Sequence, residues 1–264
     1  MNTNQARPVK TTHTSIRIVR AIRRRGGASL TEIADALDVG KSTAHNHLAT
    51  LTEEGFLVRE GQQYHVGLGF LELGEYARNR RESYKPAKIQ VYRLAESTNE
   101  EANFAVAENG SMFSIEYVMG DWNPMNPEAG SQFLEIGSEF GMHNSAPGKA
   151  VLAELAPEAV EQILDLRGLP ATTDETLTDR EALFEELDAI SERGYATNDE
   201  ELQSGFRSVG APVRHPDGTV LGALSIGGPA YRFEVEPPAA SGNIGTLLNA
   251  TDRVEEDLTQ SEVS

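Results

Sequence analysis

The chain has 264 residues, no cysteine and a formal net charge of −18. That length holds one large domain or two ordinary ones, and the absence of thiols removes disulfides, thiolate metal sites and thiol chemistry. No apolar run approaches the roughly 18 residues of a membrane helix, and the polar first nine residues lack the core of a secretory leader, so the cytoplasm is the expected compartment.

The charge is unevenly placed. Residues 1–80 carry eleven Lys and Arg against eight Asp and Glu, and residues 81–264 carry twelve against thirty-three. A mildly basic head is followed by a strongly acidic body, and only the head suits a polyanion such as DNA. Lysine occurs only at Lys10, Lys41, Lys85, Lys88 and Lys149. An acid-rich, lysine-poor composition fits a protein that works at high salt, where charge is screened over short distances and net charge maintains solubility. An acidic surface for a partner is the alternative.

In chain order, residues 1–12 are expected to be disordered. A helix follows over 14–25, with Ile18, Val19 and Ile22 on one face, ended by Gly26 and Gly27. Ser29-Leu30-Thr31-Glu32 has the form of a capping box. It opens a short helix whose core stripe is Leu30, Ile33, Ala34 and Leu37. Asp38-Val39-Gly40 is a tight turn, and a second helix runs from Lys41 to Glu54 with Ala44, Leu48 and Leu51 buried. Residues 56–60 and 64–66 then flank a Gly-containing turn and read as a hairpin. Helix, helix, turn, helix, hairpin is the order of a winged helix-turn-helix. Residues 68–81 read as a helix leading out of the head.

In the body, 86–97 reads as a helix, and 103–107 and 112–118 as strands around Glu108-Asn109-Gly110. The Gly-, Pro- and Asn-rich stretch 120–131 reads as a loop. Helices are expected from Pro147 to about Leu155, over 157–166 and over 179–193. Strands at 208–214 and 219–227 are joined by His215-Pro216-Asp217-Gly218. A final helix over 239–259 aligns Ile244, Leu247, Leu248, Thr251, Val254 and Leu258.

The second helix of a helix-turn-helix presents its first turns to the major groove. Here these turns carry Lys41, Ser42, Thr43, His45, Asn46 and His47, all able to donate to phosphates or base edges. A winged helix used only for protein contacts is the competing reading. His45 and His47 are two apart and face different ways on a helix, so no metal site is expected. No cofactor motif is present.

The stretch from Met142 to Ala150 is a loop turning into a helix, a place where backbone amides can meet an anion. Lys149 lies near that anion site, with a surface ion pair as its alternative role, and Asp199, Glu200 and Glu201 read as solvated acids. His143 and Ser145 do not have the spacing of a nucleophile and its base, and no nucleophile-elbow glycines surround Ser145. An enzyme or signalling scaffold with this body is the runner-up to a regulator.

Three stretches together resemble the IclR family of bacterial and archaeal transcriptional regulators over about residues 12–258. They are the head from Leu30 to Phe56, the stretch from His143 to Ala153, and the residues from Gly194 to Pro229 that include Asp199-Glu200-Glu201, Ala211-Pro212-Val213-Arg214 and Gly222-Ala223-Leu224-Ser225. The resemblance implies a winged helix-turn-helix over 12–73, a linker helix and a GAF-like α/β effector-binding domain over 74–258, an α+β chain in all. It also implies a double-stranded DNA operator, a small organic-acid effector, and homodimers or homotetramers with no membrane role. The effector positions it implies are Ala146, Pro147, Gly148, Asn198, Ser208, Ser225 and Gly227. Two depart from the family pattern: Pro147 has no amide proton for a carboxylate, and Gly227 stands where a serine hydroxyl can occur. In the head, Asn46 stands where arginine is common, which implies a different operator sequence.

Overall fold

In a computed structural model of the chain, residues 9–120, 134–235 and 242–262 are described. Most of the expected loop at 120–131 and the first residues of the expected last helix lie outside them. The chain divides into two units, Met1–Arg80 and Arg81–Ser264.

The first unit begins with α1, Lys10–Arg25, so residues 10–12, expected to be disordered, are helical. Gly26 ends it in the left-handed conformation, which glycine adopts without a Cβ penalty. The two-residue strand β1, Ala28–Ser29, leads into α2, Leu30–Leu37. The capping box forms there: the Ser29 side chain accepts from the Glu32 amide, and the Glu32 carboxylate accepts from the Ser29 amide. After the turn comes α3, Lys41–Glu53, then the wing strands β2, Leu57–Glu60, and β3, Gln63–Val66. The strands form an antiparallel sheet in the order β1-β3-β2. Ile18 and Ile22 of α1, Ile33 of α2, Ala44 and Leu48 of α3 and Leu57 of β2 close one core. Each large apolar side chain buried here contributes about 1.5–3 kcal/mol. The unit ends with α4, Gly69–Asn79, none of whose residues is buried.

The second unit is built on a six-stranded antiparallel sheet. Helix α5, Tyr84–Thr98, precedes β4, Glu101–Glu108, and β5, Ser111–Val118. The short strand β6, Glu139–Phe140, is followed by α6, Ala146–Leu152, α7, Pro157–Arg167, and α8, Arg180–Arg193. Then come β7, Ala196–Asp199, β8, Phe206–Arg214, β9, Val220–Pro229, and α9, Gly242–Glu262. The strand order is β6-β5-β4-β9-β8-β7. Alternation splits each strand between two faces. Ala102, Phe104 and Val106 of β4 join Val209, Ala211, Leu224 and Ile226 under α5 and α9. Ala105, Ala196 and Ala223 face the other way, in the core with α6, α7 and α8. This is the layered α/β build of a GAF-like domain, and it puts the polar positions of β4, β8 and β9 on the α6 side.

Candidate functional site

In the head, α3 buries Ala44 and Leu48 and leaves Lys41, Ser42, Thr43, His45 and Asn46 exposed. No side chain caps its first turn, since Gly40 is the N-cap residue. Its leading amides are therefore open to a phosphate, which the helix dipole also favours. His47 is half-buried and its Nδ1 lies 2.8 Å from the Ser15 hydroxyl of α1. That contact ties α3 to α1. Beside it lies an open cleft of about 550 Å³, with Thr11, Thr12 and Ser15 on one wall and Thr43, Asn46 and Thr50 on the other. The wing carries Arg59, whose guanidinium sits 5.7 Å from the centre of the Tyr64 ring and donates to the Gly61 carbonyl and the Gln62 side chain. Neither the α1 hydroxyls nor Arg59 stood out in the sequence, because the helix-turn-helix pattern draws attention to α3 alone.

In the body, strand register assembles two transverse rows on the α6 face. Asn198, Ser208, Gly227 and Glu101 lie opposite one another across β7, β8, β9 and β4. The next row holds Ala196, Gly210, Ser225 and Asn103. A Cβ on Gly210 would stand 2.6 Å from the Ala146 carbonyl carbon and 2.7 Å from the Pro147 nitrogen. The missing side chain therefore lets the start of α6 rest directly on the sheet. A small cavity remains between them, floored by Glu101, Asn103, Ser208 and Ser225 and edged by Ser145 and Pro147. Leu134, Phe140, Leu202 and Phe206 supply an apolar wall. The free interior is about 10 Å³, room for roughly one water.

Of the expected effector residues, Pro147, Ser208, Ser225 and Gly227 line this cavity. Ala146, Gly148 and Asn198 do not line it. The Gly148 amide donates to the Ser145 hydroxyl, which in turn donates to the Gly141 carbonyl. Asn198, fully buried, accepts from the amides of Glu201 and Leu202 and donates to Ser208. It shapes the β7–β8 turn and orients the Ser208 hydroxyl. The cavity also contains two residues not singled out in the sequence, Glu101 and Asn103. The Asn103 side-chain oxygen accepts from the Ser114 hydroxyl, and its Nδ2 is buried without a hydrogen-bond partner. Glu101 accepts from the Tyr117 hydroxyl at 2.8 Å. Burial raises its carboxyl to about 7; the Tyr117 hydrogen bond opposes that rise and neighbouring Glu100 adds to it.

Lys149 differs from its expected surface position. It is 2% exposed, with Nζ 2.5 Å from Glu201 and 3.9 Å from Glu186. Glu201 is likewise buried rather than solvated, and burial raises its carboxyl despite Lys149. A buried charge survives only when paired, so Lys149 serves this ion pair. The His143 ring nitrogen Nε2 lies 3.2 Å from the Pro170 carbonyl and makes no pair with Ser145.

Comparisons with known proteins agree in both units. The model of the IclR helix-turn-helix domain matches residues 15–61, and that of the bacterial transcriptional regulator IclR C-terminal domain matches residues 78–252. The chain is 29% identical over 88% of its length to the probable HTH-type transcriptional regulator ArcR of Halobacterium salinarum, covering 88% of that protein. It is 30% identical over 87% of its length to the glycerol operon regulatory protein of Streptomyces griseus, covering 88% of it. The crystal structure of the Thermotoga maritima IclR superposes with a TM-score of 0.71 at 25% identity, covering 94% of this chain and 97% of that one. The two matched domains cover both units in order, and the chain belongs to the IclR family of transcriptional regulators.

Proposed function

We propose that this regulator controls catabolic genes from the cytoplasm, reading a pseudo-palindromic operator in double-stranded DNA as a homodimer or a pair of dimers. A small organic acid in the cavity under α6 shifts it between DNA-competent and DNA-incompetent states. The observation that carries the reading is the exposure of Lys41, Ser42, Thr43, His45 and Asn46 on an α3 whose opposite side is locked into the head by Ala44 and Leu48. One small head makes few contacts, and two heads related by a two-fold axis read two half-sites.

Several features support an acid as effector. The cavity offers the unpartnered Asn103 amide together with the Ser208 and Ser225 hydroxyls, and apolar walls for a carbon skeleton. A few placed polar groups in an apolar pocket are what a small-molecule site needs. The name of the Streptomyces relative supports control of an operon for a small carbon compound. On this reading the protein is a regulator and not an enzyme, which the commitment of Ser145 and His143 to backbone groups supports.

The test is a footprint and gel shift on DNA flanking the gene, with wild type and with Ser42, Thr43 and Asn46 all replaced by alanine. Alanine favours helix and the three positions are exposed, so the fold persists. Each lost base contact costs about 1–3 kcal/mol, so specific affinity falls on the order of 100-fold or more. An unchanged footprint at unchanged affinity would remove α3 as the reader.

A further inference from the structure

Among the described residues, the cavity is lined by a carboxyl group and no cation. Glu101 is 7% exposed and Asn103 is 3% exposed. No Lys, Arg or His is among the described lining residues, and residues 121–133 and 236–241, outside the described set, contain none in their sequence. The charged groups on the elements around Glu101 are committed elsewhere. Just before its strand, Glu100 receives both arms of Arg232 at 2.6 and 2.7 Å. On β5, Tyr117 donates to Glu101, and Glu116 lies near the Tyr92 hydroxyl of α5. Strand β9 presents only Ser225, Ile226 and Gly227 to the cavity. On β8 and the turn before it, Arg207 pairs with Asp199, and Glu200 accepts from the Gly205 amide. On β6, Glu139 lies 3.7 Å from Arg167. Under α6, Lys149 is held by Glu201 and Glu186, and His143 by the Pro170 carbonyl. Helix α5 packs on the opposite face, so its Lys85, Lys88, Arg93 and Glu96 lie across the sheet.

An anion entering this cavity therefore meets hydrogen-bond donors but no positive charge, and it lies against Glu101. Two carboxylates cannot share such a site while both are ionised. One proton between them turns repulsion into a charge-assisted hydrogen bond. On the reading that the effector is an organic acid, we propose that it binds with Glu101 protonated, so that one proton is taken up with each acid bound whenever Glu101 is ionised in the free protein. The Glu101 carboxyl donates to one carboxylate oxygen of the acid, and Asn103 Nδ2 donates to the other. The proton comes from solvent, and the Asn103 amide gains the acceptor it lacks. Burial already holds the Glu101 carboxyl near neutrality, at about 7, so the step needs little further shift.

The sign follows from linkage. The bound acid favours the protonated form, so affinity is constant well below the free-state value for Glu101 and falls as the pH rises through it, by about tenfold per unit. The cavity consequently refuses dianions, for which a single proton is insufficient. It accepts a monoacid, and the free interior of about 10 Å³, room for roughly one water, must widen to admit it.

The experiment is titration calorimetry of the full chain with pyruvate, gluconate and 4-hydroxybenzoate, representing keto, sugar and aromatic monoacids, between pH 6 and pH 9. Repeating each titration in buffers of different ionisation enthalpy counts the protons. The expected result is uptake approaching one proton per acid at pH 8 and a roughly tenfold weaker affinity at pH 9 than at pH 8. Glu101→Gln is a permanent neutral donor that still accepts from Tyr117, and it should bind with no proton uptake and no pH dependence. Binding by wild type without proton uptake across this range overturns the proposal while leaving the organic-acid reading standing. The proton count on wild type decides this even if the variant fails to fold. Binding that strengthens with pH and is lost in a folded Glu101→Gln also overturns it, and points to a ligand hydroxyl donating to a Glu101 carboxylate. If none of the three acids binds wild type at any pH, the organic-acid reading fails and the proposal falls with it.

Discussion

Gly227 faces Glu101 on one side and Ser208 on the other, and the Phe206 ring occupies the space a side chain at 227 would need. A Cβ there would stand 2.5 Å from Phe206 Cζ and 2.9 Å from both the Arg207 carbonyl oxygen and the Ser208 Cβ. A serine at this place is incompatible with Phe206 as it stands. Gly227→Ser should therefore destabilise the protein by about 1–3 kcal/mol, the usual cost of overpacking. Phe206→Leu in the same chain should recover much of that, giving a favourable coupling energy in a double-mutant cycle read by urea unfolding. Purely additive losses would mean that the ring does not fill the place of the missing side chain. Residue by residue, the sequence exposed part of this site. Ser208, Ser225, Pro147 and Gly227 came from motif resemblance, and they line the cavity. Glu101 and Asn103 escaped because alternate polar residues in a strand read as a solvated face, and nothing local says that α6 covers it. Lys149 and Glu201 were misplaced for a similar reason: their pairing spans 52 positions.

Helix α4 shows most clearly how a local pattern and its packing can part ways. Its apolar spacing marks a helix, and a helix forms over Gly69–Asn79. Phe70 stacks on Phe56 at 4.8 Å between ring centres, but Leu71 is 59% and Tyr76 74% exposed, beside Leu68 at 82%. An apolar helical face left open within its own unit is the kind of surface that pairs subunits. Leu71→Glu combined with Tyr76→Glu should leave the head folded and convert a dimer to monomer at micromolar concentration, read by sedimentation equilibrium. Operator affinity should fall on the order of 100-fold with the loss of bivalent contact. A variant that stays dimeric would move the joining surface elsewhere. The same contrast applies to the strands. The β4–β5 and β8–β9 hairpins were visible through their turns, whereas β1, β6 and β7 were not. The first two of these have two residues each and β7 has four. The pairing of β4 with β9 joins segments more than a hundred positions apart, beyond the reach of any local signal.

Across the whole molecule, the net charge of −18 is concentrated after residue 80. Few of these acids can be neutralised by lysine, and several arginines are already spent in paired contacts: Arg214 with Glu154, Arg232 with Glu100 and Arg207 with Asp199. The remaining carboxylates repel one another in the compact state, which is a cost to folding at low ionic strength. Screening shortens from about 10 Å at 0.1 M salt to about 3 Å at 1 M, so that cost fades as salt is added. Thermal unfolding in potassium chloride should show a melting temperature that rises by about 5–10 °C between 0.05 M and 1 M, equivalent to a few kcal/mol. Most of the rise should come in the lower half of the range, because screening saturates. A gain from solute exclusion would instead keep climbing steadily with concentration. A melting temperature that is flat or falls over this range would show that the acidic body carries no repulsive penalty. Its composition would then have to be explained by an acidic partner surface rather than by a saline interior.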